Sequence, residues 1–173
     1  MNGLIVDWLA VALIFALSIV LLVLFRKRVE FEVFNDLIII HDFAYPANIP
    51  NYAIKSITLI EKLPKVMMRS NGYGGWKMWK GIFRIIGGER AAFYVEDHFH
   101  GPVIKIETVR ESFYISYKDK EQTKQLYDEL TNKVKLLSES DLTDCKLVST
   151  VRSWIIVSVF VAVLILISLI PTI

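Results

Sequence analysis

The chain has 173 residues, a formal net charge of +2 and 54% apolar residues. So small a positive charge argues against a nucleic-acid binder, which needs a dense basic face. A single cysteine, Cys145, excludes an intrachain disulfide and fits a reducing compartment.

The apolar residues gather at the two ends. Trp8 to Phe25 reads WLAVALIFALSIVLLVLF and Trp154 to Ile170 reads WIIVSVFVAVLILISLI, neither with a charge. A bilayer core takes about 20 apolar residues as helix, roughly 17 at the short end. Both runs meet that length and predict transmembrane helices within 1–28 and 153–173. MNGLIVD has no Lys or Arg, which argues against a cleaved signal peptide. All Lys and Arg lie between Arg26 and Arg152. The positive-inside rule then predicts a multi-pass inner-membrane protein with both termini outside and a cytoplasmic centre. Ser18, Ser158 and Ser168 are the only polar residues within the runs, so no buried ion pair marks a transport path.

The centre, 29–137, reads mostly as strands. VEFEVF and LIIIHDF flank Asn35-Asp36 and form a first hairpin. YPANIP, with two prolines, reads as an edge piece or connection. YAIKSITLIEKL offers Ile54, Ile57 and Leu59 as core positions. GIFRII and AAFYVED make a second hairpin about GGER, and PVIKIETV and ESFYISY a third about Arg110. The period then changes: Leu126, Leu130, Val134 and Leu137 fall on one face of an amphipathic helix, with Asp119 and Gln122 as a capping box and Lys133 and Lys135 near its end. The segment 138–152 is a polar linker.

About seven antiparallel strands and one closing helix predict a bent sandwich or barrel rather than an α/β sheet. The order of parts, with AIKSITLI, the stretch NGYGG…GIFR, AAFYVED and VIKIET…FYIS before a final helix, resembles the bacterial pleckstrin-homology-like (PH-like) domains, in particular the membrane-tethered group. The resemblance covers about 29–137. It implies a binding role without catalysis. The first hairpin, EFEVFNDLIIIHD, is acidic and apolar where eukaryotic relatives carry the basic phosphoinositide pattern, so that ligand is not implied.

The richest chemistry lies in RSNGYGGWKMWKGIFR, Arg69 to Arg84. It lacks the G-x-x-x-x-G-K-[ST] string of a phosphate loop and the βαβ context of a dinucleotide fingerprint. Two readings stand. In one, the stretch is an inter-strand loop, Gly72, Gly74 and Gly75 supply positive φ, and Trp76 and Trp79 cover the core edge. In the other, Trp76, Lys77, Trp79, Lys80 and Arg84 meet anionic lipid headgroups at the membrane surface. The turn EDHFHG holds Glu96, Asp97, His98 and His100, which read as a solvated turn and not a metal site. No catalytic, cofactor or metal residues are assigned. The function read from the sequence is a non-enzymatic scaffold or binding module in the membrane, with an unidentified protein partner or a second copy. The alternative is an accessory subunit of a larger, transporter-like membrane complex.

Overall fold

The computed structural model describes residues 2–25, 27–75, 77–134, 154–159 and 161. The chain divides into two compact units. One comprises Met1–Lys27 with Thr150–Ile173, the other Arg28–Ser149.

The first unit contains the helix α1, Asn2–Phe25. Inside it Ser18 Oγ donates to the Ile14 carbonyl at 2.8 Å, so the one hydroxyl of this stretch is satisfied within its own helix. Among the described residues no helix is long and apolar enough to cross a membrane. This corrects the expectation of two transmembrane helices flanking the β domain, and the multi-pass inner-membrane location that rested on them. The polar linker and the expected core position Leu137 lie outside the described residues.

Among its described residues the second unit carries nine strands and one α-helix. β1 (Glu30–Val33), β2 (Leu37–His41) and β3 (Ala47–Pro50) form a three-stranded antiparallel sheet in the order β1-β2-β3. A short 3-10 turn, Asn51–Ala53, leads into a six-stranded sheet. Its strands are β4 (Ile54–Ile60), β5 (Val66–Gly74), β6 (Trp79–Ile85), β7 (Arg90–Val95), β8 (Val103–Thr108) and β9 (Ser112–Ser116), in the order β4-β8-β9-β7-β6-β5. α2, Lys120–Lys133, closes the unit and touches β1, β4, β8 and β9.

The three predicted hairpins form, as β1–β2, β6–β7 and β8–β9. Asp119 caps α2 by accepting from the Glu121 N–H at 3.0 Å, the orphan-donor role expected at a helix start. The strand count and pairing differ from expectation. There are nine strands among the described residues and β7 pairs with β9 in parallel, because β9 folds back between β8 and β7. Ala47–Pro50, read as an edge piece or connection, is the edge strand β3. Its Pro50 stands at the strand end, where a missing N–H breaks no ladder. Val66–Gly74 is the longest strand. Its glycines hide it from a propensity reading, yet one of them is there for contact: a Cβ on Gly72 would lie 2.5 Å from the Lys80 carbonyl oxygen. On β4 only Ile54 of the three expected core positions is buried. A bulge between Ile54 and Ser56 resets the alternation and leaves Leu59 exposed.

The six-stranded sheet is apolar on both faces. Phe83, Ile85, Ala91, Phe93, Val95, Val103 and Tyr114 form one cluster, covered by Ile60, Leu63, Val66 and Trp79. By alternation, Lys80, Ile82, Ala92, Tyr94, Phe113 and Ile115 point the other way. Tyr94 and Lys80 show what lies there: the Tyr94 hydroxyl donates to the Tyr45 carbonyl at 2.6 Å and Lys80 reaches Asp42. Both acceptors belong to the connection between β2 and β3, so this face is turned toward the three-stranded sheet.

The glycines with positive φ are Gly81, Gly87 and Gly88, not the expected Gly72, Gly74 and Gly75. At Gly81, φ is 105° and a Cβ would meet the Gly72 Cα at 2.5 Å and the Asn71 carbonyl oxygen at 2.6 Å. Backbone meets backbone there and no side chain can rotate away. Gly81→Ala is therefore expected to cost at least about 2 kcal/mol in chemical denaturation. Gly87→Ala, with nothing within 4 Å, should cost less.

Candidate functional site

The β5–β6 hairpin carries most of the residues singled out in the sequence. It is held from two sides. On one side stands Lys80, 1% exposed although charged. Its Nζ lies 2.9 Å from Asp42 Oδ1, and both side chains are almost fully buried. Burial of an ion pair is tolerable only when the remaining lone pairs are also satisfied. Asp42 Oδ2 meets this need by accepting the backbone N–H groups of Ala44 at 3.0 Å and Tyr45 at 2.9 Å. The turn thus formed presents Tyr45, whose hydroxyl donates to Asn71 Oδ1 on β5 at 3.2 Å.

On the other side stands Trp79. Its ring stacks on Phe83 at 5.8 Å and on His98 at 4.5 Å, and meets Phe93 edge-on at 5.8 Å. Trp79 covers the edge of the apolar cluster. His98 is fastened to the hairpin by more than stacking. Its backbone N–H donates to the Lys77 carbonyl at 3.0 Å, and its Nδ1 lies 2.8 Å from the same oxygen. The 97–100 turn is built on Asp97, which accepts from the Phe99 N–H at 3.0 Å and pairs with His100 Nδ1 at 3.2 Å. Burial opposes the charge on Asp97, but the Phe99 N–H, His100 and Lys77 outweigh it and hold the carboxyl below its ordinary value.

The five residues named from the sequence therefore separate. Lys80 is enclosed, with its ammonium on a carboxylate. Trp79 is partly buried against aromatic rings. Lys77 and Arg84 are at the surface, and Trp76 lies outside the described residues. Sequence reading missed Asp42 as the partner of Lys80. A signal was present: in WKGIFRI, Lys80 stands on the same side of the strand as Ile82, so burial of that side encloses the lysine and calls for an anion.

It also missed the surface that the hairpin exposes. β5 is an edge of the six-stranded sheet. Met67 and Met68 on it are 60% and 51% exposed, and Ile86, just beyond β6, is 64% exposed. The Ile86 N–H donates to the Lys65 carbonyl at 3.0 Å, which sets Ile86 beside the start of β5. Arg84 is the register partner of Met68, and Arg69 follows it along the strand. Apolar side chains and guanidinium groups thus share one open strand edge. Bulges at Val66/Met68 and Arg69/Asn71 interrupt its pairing with β6.

A β unit of one three-stranded and one six-stranded sheet closed by one helix, with Lys80 and Asp42 engaged in structural bonds, has the build of a PH-like domain. A family model described as a bacterial PH domain matches residues 29–131. That is more than half of the chain, and the chain belongs to this family. Neither the curated proteins nor the solved structures contain a significant match. PH domains are in general interaction modules that bind lipids or proteins.

Two outcomes follow from this geometry. Asp42→Ala takes the counter-charge from an enclosed ammonium and should cost about 3–5 kcal/mol in denaturant unfolding. Lys80→Met should cost less, on the order of 1–2 kcal/mol, because the Asp42 carboxylate keeps two N–H donors and the Met stem fills the space. The second outcome concerns pH. A carboxyl held below its ordinary value stabilises the fold above the unfolded-state pKa, and that stabilisation is lost as pH falls through the folded-state value. The Phe99 amide NMR signal should therefore shift in acid with a midpoint below that of free aspartate. In Asp97→Asn that transition should be absent.

Proposed function

We propose that the chain is a non-enzymatic scaffold module whose β5 edge docks an extended, acidic and apolar segment of a partner protein. The observation that carries this reading is the nine-residue edge strand bearing Met67 and Met68 beside Arg69 and Arg84. An unpaired strand edge offers backbone donors and acceptors to an incoming strand, and alternate side chains supply selectivity. Methionine adapts its shape to different apolar partners. The two guanidinium groups prefer carboxylates, which they can bind through paired N–H donors. The rigid support comes from below: the Lys80–Asp42 pair and the Trp79 stack hold the hairpin from which this edge projects.

Anionic lipid headgroups would engage Arg84 together with Lys77, so the test must separate the two partners. A photo-crosslinking residue is placed at Met67 in the chain expressed in its own cells, and recovery of a discrete protein adduct is measured. Reversing Arg69 and Arg84 to Glu should lower that yield by roughly an order of magnitude. An unchanged yield would overturn the reading. Sedimentation with phosphatidylglycerol vesicles that the same reversals abolish, without any protein adduct, would replace it with lipid binding.

A further inference from the structure

A second surface, away from the β5 edge, carries chemistry of the opposite sign. We infer that the cleft between β1 and α2 binds an organic cation, the guanidinium or alkylammonium group of a basic peptide side chain or of a free amine. The cleft encloses about 360 Å³ and is lined by Phe31, Tyr117, Gln122, Gln125, Leu126 and Glu129. That volume is near the low end for small-ligand sites and suits a single charged group with its stem.

Its walls have the character a cation needs. The Phe31 and Tyr117 rings meet edge-to-face with centroids 5.3 Å apart. An aromatic face attracts a cation through its quadrupole, and an amide or carboxylate rim adds hydrogen-bond acceptors. Gln122, Gln125 and Glu129 supply that rim from α2. A further carboxylate stands near Tyr117. Glu96 is 9% exposed; its Oε2 accepts from the Lys118 N–H at 3.2 Å, while its Oε1 is buried without a hydrogen-bond partner. A buried carboxylate oxygen left unsatisfied is costly. The Tyr117 phenol registers the negative field here. Burial raises its pKa first, and the charges of Glu96, Glu129 and Glu30 raise it further, against a bond from the Phe31 N–H.

The same contacts exclude another occupant. Lys133 Nζ donates to the Val33 carbonyl at 3.2 Å. This outward acceptor of the β1 edge is thereby used, so an added strand would find an interrupted ladder. The cleft admits a side chain or a small molecule rather than a strand. Of the three carboxylates beside Tyr117, Glu129 pairs with Lys133 at 2.7 Å, and Glu30 and Glu96 have no ion pair within 4.0 Å among the described residues.

The test is a titration of the isotopically labelled chain, followed by NMR amide shifts. The probes are acetyl-arginine methylamide for a peptide side chain and spermidine for a free amine, with acetyl-citrulline methylamide as the neutral isostere of the first. Saturable shifts at Phe31, Tyr117 and Gln125 are expected with one or both cations and not with the citrulline compound. The tighter of the two identifies the source. Glu30→Gln and Glu129→Gln should each weaken binding roughly threefold. Tyr117→Leu should weaken it about fivefold through loss of the ring face, whereas Tyr117→Phe should change it less than about twofold. Were Tyr117→Leu to unfold, the two exposed carboxylate variants decide the matter alone. Equal binding of the citrulline compound, no saturable shift at these residues, or unchanged affinity in both carboxylate variants would each overturn the inference.

Discussion

The ammonium of Lys80 lies inside the β unit, and much of the architecture answers to it. A buried lysine must have a counter-charge, and the counter-charge must have its own lone pairs filled. Asp42 does both, through one oxygen on Lys80 and the other on two backbone N–H groups. That second oxygen shapes the turn after β2, which brings Tyr45 against β5 and under the Tyr94 hydroxyl. The three-stranded and six-stranded sheets are therefore joined by directional bonds as well as by apolar contact. Apolar packing alone would tolerate slippage; a charge that can be satisfied in one place does not.

The two glycines on facing strands belong to the same junction. Gly72 and Gly81 let β5 and β6 approach where a side chain on either would strike backbone. Tyr45 fills the space beside them, 3.1 Å from the position a Cβ on Gly81 would take. The hairpin that the sequence presents as a loose, glycine-rich loop is thus a rigid part of the sheet. Its surface chemistry is displaced to the outer edge of β5, where Met67, Met68, Arg69 and Arg84 project from a stiff base. A surface held this way would lose little conformational freedom if a partner docked on it.

The unit also treats its strand edges unequally. At β1 the Lys133 ammonium of α2 takes up an outward carbonyl, beside a cleft with aromatic walls and acidic surroundings. At β5 the edge stays open and basic, blunted only by two bulges. One small fold therefore presents two surfaces of opposite charge.

The alternation and turn residues of the centre, and the switch to a helical period after Lys118, were sufficient to read three hairpins and the closing helix with its Asp119 cap, and the order of the motifs carried the resemblance to the bacterial PH family. These are local signals, carried by neighbours in the chain. Local reading failed where distant residues decide the outcome. The bulge after Ile54 moves Leu59 to the surface, and the return of β9 beside β7 creates a parallel pair that no hairpin pattern encodes. Apolar length at the chain ends suggested membrane spans, yet no helix among the described residues has both the length and the apolarity to cross. At the hairpin, composition left Trp79 between a core-edge and a membrane-facing reading and offered Lys80 as a surface group, because Lys and Trp beside glycine look the same in sequence whether they face solvent or core. Only the tertiary structure brings Asp42 to Lys80 across 38 residues and His98 onto Trp79. A charge is buried or exposed according to what the fold sets opposite it, and that partner is chosen in space.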